Sequence, residues 1–317
     1  MAIPCLIIAY SRVEGISRLI STIDPLEVSQ IYLALDGPKS KEVSNIQSKI
    51  VRSVEIFCSL NSIPLKIWKR DQNVGVAKSI IASIEWFFHN EEFGVVLEDD
   101  LEIGNGFFKY IEVNRVLLET NEKLLLISGN QFMLNANLDH SVNWSNYPLI
   151  WGWATSRDRW KVIKLGILDE KIYLFNKLFD KVENFWRVGT IRVRSEIIDT
   201  WDIPLAYFMI KNKFLCLLPD TNLVSNRGND VYAQHTLTGV FPLNIPTDIP
   251  KFLRVDSVPN LVDVHKYNLF LESRVFKVRF RHHFNYIYFL IFIYPLSFKN
   301  LNKLAKSLKN FKLPINS

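Results

Sequence analysis

Three adjacent carboxylates, Glu98-Asp99-Asp100, follow the apolar run Val95-Val96-Leu97. A buried strand that ends this abruptly in acid groups delivers them to the rim of a sheet. Side by side the three charges repel one another, so the folded chain must offset them with a cation or with hydrogen-bond donors. A hard divalent ion held by oxygen is the simplest offset. Asp100 is therefore the candidate ligand for a metal that carries a substrate diphosphate. Glu98 and Asp99 are candidates to accept hydrogen bonds from ribose hydroxyls. A solvated acidic turn accounts for the same residues equally well.

Other residues share that ambiguity. Asp36, in Asp36-Gly37-Pro38, suits either a nucleobase or ribose reader or a plain turn. Asp202 precedes the apolar stretch Ile203–Ile210, where it suits a general base or a helix N-cap; Pro204 close behind favours the cap on the sequence alone. His235 can complete a metal shell begun by Asp100, or it is a surface histidine in a polar loop. Trp151-Gly152-Trp153 offers aromatic faces for a sugar, with Gly152 allowing close approach, or else two core tryptophans. Lys78 adds positive charge near phosphates or is a solvated helix lysine.

The elements that must position these groups alternate. Ile3–Ala9 reads as a first strand, 15–23 as a helix, Ile31–Leu35 as a second strand, 40–60 as a helix and 65–68 as a third strand. Ala77, Ile80, Ile81, Ile84, Phe87 and Phe88 mark one helical face; 95–97 is a fourth strand, Phe107–Leu118 a helix and 124–127 a fifth strand. This alternation predicts an α/β fold with a mostly parallel twisted sheet flanked by helices. Ligands sit beyond the carboxyl ends of such strands. Tyr10 and Arg12, Asp36, Arg70 to Asn73, and the acidic triplet all fall there. After Gly129 the alternation stops, and 130–240 reads as Trp- and Asn-rich with many loops.

The 317 residues are 48% hydrophobic and 13% aromatic, enough for a large core. Three widely spaced cysteines argue against a disulfide scaffold and fit a reducing compartment. The start has no basic region before its apolar run, so no signal peptide is expected. No stretch reaches the roughly 18–20 apolar residues that span a bilayer. The net charge of +6 is uneven: residues 273–317 hold nine Lys/Arg and no acid, leaving −3 on the first 272. The expected organisation is a domain at 1–240, a connecting segment at 241–272 and a basic, aromatic, helical tail at 273–317. Such a tail suits an anionic lipid surface, with Tyr286–Tyr294 as an aromatic belt, or it packs on the domain. Peripheral binding at the inner face of the plasma membrane, in the cytoplasm, is the expectation. The acidic body and the lack of any nucleic-acid motif argue against nucleic acid.

Taken in order, six stretches resemble one family. They are Arg70-Asp71-Gln72-Asn73-Val74-Gly75; Val96-Leu97-Glu98-Asp99-Asp100 with Phe107-Phe108; Ile127-Ser128-Gly129-Asn130; Ile150 to Thr155; Trp201-Asp202; and Asn222-Leu223-Val224-Ser225-Asn226 through His235-Thr236. Over roughly residues 3–240 the chain resembles bacterial glycosyltransferases of the GT-A fold, distantly like N-acetylglucosaminyltransferase I. The resemblance implies an inverting transferase that moves a sugar from a nucleoside-diphosphate sugar to a glycan hydroxyl; the tail's membrane reading would suit a lipid-linked surface glycan as acceptor. It implies Asp100 on Mn2+ or Mg2+, His235 near the metal or diphosphate, and Asp202 as the base, which reverses the preference for a cap. Tyr10, Arg12, Asp36, Asn73, Gly75, Lys78, Glu98, Asp99, Gly152 and Trp153 are the donor-side candidates. One departure stands out: between Asn226 and His235 this chain has fewer glycines than the family pattern, and Arg227 is new. Two other readings remain. A sugar-phosphate nucleotidyltransferase should have a Gly-rich loop after the first strand, which Ala9 to Gly15 lacks. A catalytically silent, membrane-bound carbohydrate-binding or scaffold protein would fit the altered loop.

Overall fold

The computed structural model describes residues 1–133, 144–172, 180–228, 245–251, 253–255 and 261–278. Its first half follows the predicted alternation: β1 (Ile3–Ala9), α1 (Val13–Thr22), β2 (Val28–Leu35), α2 (Lys41–Leu60), β3 (Leu65–Lys69), α3 (Val76–Asn90) and β4 (Phe93–Glu98). These four strands pair in parallel in the order β3-β2-β1-β4. A strand covered on both faces by helices must be apolar throughout, which explains the unbroken run at β1 and β4. Helix α2 starts where the sequence signals it: the Ser40 hydroxyl accepts from the Val43 amide at 3.2 Å.

The second half adds β5 (Leu101–Ile103), α4 (Phe107–Asn114), α5 (Val116–Thr120), β6 (Leu124–Ser128), β7 (Trp144–Ser145), β8 (Trp153–Ser156), α6 (Arg157–Asp169), α7 (Lys181–Arg194), α8 (Asp202–Asn212), β9 (Leu215–Leu217), β10 (Val224–Asn226) and α9 (Leu261–Phe270). Among the described residues the main sheet runs β3-β2-β1-β4-β8-β6-β9-β7. Strand β8 runs antiparallel between β4 and β6, and β7 antiparallel to β9. Strands β5 and β10 form a separate antiparallel pair. One core lies on each face. Helices α1, α2 and α4 cover one; α3, α6, α8 and α9 cover the other, with Trp186 of α7. The fold is thus α/β with a large central sheet, as the alternation predicts.

Three expectations change. The helix expected over Phe107–Leu118 is two helices, broken at Arg115, whose amide bonds the carbonyl only three residues back at Glu112. The loop-rich reading of 130–240 gives way to helices α6 and α7, beside the helix expected at Ile203–Ile210, which is α8. Helix α6 is capped by Ser156 and buries Trp160, Ile163 and Ile167 at helical spacing, while Asp180 caps α7 through the Val182 and Glu183 amides. Residues 261–278, expected to connect domain and tail and to begin the tail, join the core. Tyr267 is fully buried with its hydroxyl on Gln131, and Phe276 stacks on Tyr147 at 4.9 Å. The rest of the tail, from 279 on, lies outside the described residues.

Candidate functional site at the carboxyl edge of the sheet

The chain leaves β1 toward β2 on one side, while β4 pairs on the other. The crevice between the ends of β1 and β4 is therefore the topological switch point, where open α/β sheets bind ligands. The acidic tip sits there. Asp99 has both oxygens engaged: Oδ2 accepts from the Tyr10 amide at 2.9 Å, and Oδ1 from Arg12 Nη1 at 3.0 Å. The same Arg12 nitrogen donates to Asp100 Oδ2 at 3.2 Å. Arg12 follows β1 and Asp99 follows β4, so one guanidinium closes the crevice. Gly15 permits this closure, since a Cβ there would lie 2.1 Å from the Asp99 carbonyl oxygen.

From Asp100 the chain enters β5, which pairs with β10 in the register Leu101↔Asn226. The Arg227 amide bonds the Asp100 carbonyl at 2.8 Å, and its side chain reaches Glu102 at 3.0 Å. Gly228 passes so close that a Cβ would meet Asp100 Oδ2 at 2.7 Å. The stretch running on to His235 thus starts beside the Asp100 carboxylate; His235 itself lies outside the described residues. The new Arg227 serves this junction, which its sequence position did not reveal.

Among the described residues, the acidic groups of the tip outnumber the cation, Arg12, that bonds them. Burial pushes Glu98 up to about 8, aided by the charges of Asp100, Asp99 and Asp202, with Arg12 opposing. Hard carboxylate oxygens with surplus negative charge suit Mg2+ or Mn2+. Among the described residues no three His, Cys, Asp or Glu converge on a metal-sized point. Asp100 is the described residue that would hold such an ion, with phosphate and water able to complete its shell as they commonly do for Mg2+. The residues present fit that group.

Two predictions follow from this balance. In EDTA, Arg12→Met costs about 2 kcal/mol because two carboxylates lose a charged partner. Mn2+ then returns more of the lost melting temperature than it adds to the parent, which denaturant melts with and without the ion would show. For the metal-free parent, the folded chain holds a proton on Glu98 that the unfolded chain releases above about 4.5. Its contribution to stability is complete below that pH and is lost as pH rises toward about 8. Urea melts from pH 5 to 8.5 should decline across this window, and Glu98→Gln should flatten the decline.

The loops after β2 and β3 flank the same edge. Asp36 is 7% exposed; its Oδ1 accepts from the Gly37 and Val74 amides at 2.9 and 3.1 Å, and its Oδ2 from Asn73 Nδ2 at 2.9 Å. Asn73 Nδ2 also donates to the Gly37 carbonyl. Asp36 and Asn73 thus clamp two loops together, the turn role that the sequence left open for Asp36 beside a nucleobase or ribose reader. Gly37 sits against Gln72, where a Cβ would be 2.0 Å from its carbonyl carbon. Gly75 adopts φ +89° at the start of α3, and Lys78 is exposed on the first turn of that helix.

Asp202 arrives from the other face. Trp153 on β8 pairs with Val96 of β4, two residues before Glu98, and its indole stacks on Trp201 at 5.8 Å. Strand, Trp153 and Trp201 place Asp202 close enough for its charge to raise Glu98. Trp153 is only 1% exposed, so it is a core side chain and not a sugar platform. Gly152, at φ +61°, accepts from the Gly129 amide and lies against Val224, which is packing too. The half-buried Trp151, beside Phe132, is the aromatic of this motif nearest the surface. Asp202 is the first residue of α8 and not its N-cap, which is Trp201. Its Oδ1 accepts from the Thr200 hydroxyl and, at 2.8 Å, from the Ile203 amide; Oδ2 has no partner among the described residues. Sequence reasoning missed Asp199 and Thr200, although two carboxylates three apart ahead of a helix were a usable signal.

No protein-family model matches the chain, and no curated protein matches it. Solved structures do. A protein described as a glucose-1-phosphate thymidylyltransferase from Bacillus anthracis, solved with sucrose, is 13% identical with a TM-score of 0.35, covering 73% of this chain and 92% of that one. A UDP-glucose pyrophosphorylase complexed with UDP-glucose is 10% identical with a TM-score of 0.31, covering 69% and 90%. Likeness at this level carries nothing about activity, so the functional reading rests on the site's own geometry.

Proposed function

We propose that the chain is an inverting glycosyltransferase of the GT-A type, acting from a nucleoside-diphosphate sugar onto a hydroxyl acceptor. One observation carries the reading: Trp201, stacked on Trp153 of β8 where that strand pairs with β4, brings Asp202 to the sheet that ends in the acidic tip, with one carboxylate oxygen unpartnered among the described residues. In this reading the acceptor oxygen attacks the anomeric carbon on the face opposite the diphosphate. Its proton passes to Asp202 Oδ2, the bond from that carbon to phosphate oxygen breaks, and the electron pair leaves with the nucleoside diphosphate. Asp100, with His235 as a further candidate ligand, would hold a divalent cation, which would supply positive charge for the departing phosphates. Glu98 is the candidate for the ribose side, while Arg12 ties the ends of β1 and β4 together through Asp99.

The test is a panel of nucleotide sugars assayed for hydrolysis and transfer with Mn2+ and with EDTA. The reading expects at least one donor to be turned over only with the ion. Turnover of none, or turnover indifferent to EDTA, counts against it.

A lipid-linked glycan acceptor and peripheral membrane binding belong to the same proposal and rest on the basic, aromatic composition of the tail. No helix among the described residues is long and apolar enough to cross a membrane. Deleting 286–317 should lower the membrane-bound share of the chain several-fold in fractionated cells; an unchanged share removes the idea.

A further inference from the structure

We propose that Asp199 is a positioning residue that ties the stretch carrying Asp202 to the amino terminus of α3, and so sets the base against the strand tip. The inference rests on the reading of Asp202 as the base.

Helix α3 has no side-chain cap of its own, because the residue before it is Gly75. Its first amides point out of the helix with no acceptor in the preceding turn. Asp199, more than a hundred residues on, supplies both acceptors: Oδ2 takes the Val76 amide at 2.7 Å and Oδ1 the Ala77 amide at 3.0 Å. A carboxylate is favoured there by the helix dipole as well as by the two bonds. Gly75 is what lets it in, since a Cβ at that position would stand 2.6 Å from Asp199 Oδ2.

Asp202 lies three positions beyond this anchor. Thr200 between them donates to Asp202 Oδ1, and Trp201 is stacked on Trp153 of β8. The short stretch is therefore held at two points, on α3 by Asp199 and on the sheet by Trp201. Just before α3, Asn73 and Val74 are themselves bonded to Asp36 at the end of β2. One continuous set of bonds thus runs from the donor-side loops to the base. With Asp199 removed, the stretch ahead of α8 keeps only its Trp201 contact with the sheet, and Thr200, which bonds Asp202 Oδ1, can shift the carboxylate at the helix start.

A helix cap and nothing more would lower the melting temperature and leave kcat alone. The experiment compares the full chain with Asp199→Ala and Asp199→Asn, using Mn2+ and whichever nucleotide sugar the parent turns over. The expected result is a fall in kcat of about 10- to 100-fold for Asp199→Ala, with KM changed less than about twofold. Asp199→Asn, which keeps an acceptor oxygen in place, recovers most of it. Amide exchange gives a readout independent of activity: protection of the Ile203 amide should drop about tenfold or more in Asp199→Ala. Parental kcat in Asp199→Ala, or unchanged Ile203 protection, overturns the inference. If Asp202→Asn proves fully active, the base reading fails separately, and exchange at Ile203 still decides whether the tie exists.

Discussion

Asp202→Asn leaves the chain folded and able to bind nucleotide, and slows turnover about 10³-fold, within the range general bases supply. The substitution is nearly isosteric. Its amide oxygen still accepts from Thr200 and from the Ile203 amide, so α8 keeps its start. What is lost is an oxygen that can take a proton. The loss should therefore fall on kcat, with KM for the donor close to parental. Removing the Asp202 charge also relieves Glu98, so the variant should melt slightly above the parent in the absence of metal. Slower turnover with equal or higher stability separates a lost base from a damaged fold. Near-normal turnover would end the assignment.

Glu183→Ala should cost about 4 kcal/mol, a large part of the roughly 5–15 kcal/mol that stabilises a typical domain. Arg187 on α7 is completely buried, with its guanidinium on the Glu183 carboxylate four residues back and on Asn184 Oδ1 at 2.8 Å. Truncating Glu183 leaves a buried cation short of its counter-charge. Replacing both, as Glu183→Leu with Arg187→Met, should cost clearly less than Glu183→Ala alone, because no charge is then stranded. Denaturant melts of the three variants check the order. The helix matters to the site because Gly189 on α7 receives Ile203, the residue after Asp202, where a Cβ would lie 2.7 Å from its Cγ2. An α7 loosened by Glu183→Ala should therefore lose activity before it unfolds globally.

The first half of the fold was legible because its signals are local. An apolar run such as Ile3–Ala9, a cap such as Ser40 and the spacing of Ile80, Ile84 and Phe87 each specify an element within a few residues. Strand β8 was not, because four residues around Trp-Gly-Trp become a strand only by pairing with β4 and β6 far away in the chain. Arg187 escaped for a related reason: an Arg with Glu and Asn four and three positions back reads as an exposed ion-paired face. The acidic tip was visible from composition alone. Its partners were not, since the contacts of Arg12 with Asp99 and of Asp199 with α3 span 87 and more than 120 residues. Asp36 and Trp153 show the converse. For each the sequence offered ligand contact or a structural role, and the bonds of Asp36 and the burial of Trp153 describe the structural one.

Calorimetric titration of nucleoside diphosphates into the parent and into Asp100→Asn, each with Mn2+ and with EDTA, tests the central claim most directly. The account predicts that at least one diphosphate binds the parent with Mn2+, and that EDTA or loss of the Asp100 charge each weakens it by about tenfold or more, some 1.4 kcal/mol. Equal affinity under all four conditions would contradict a cation seated on the acidic tip of β4.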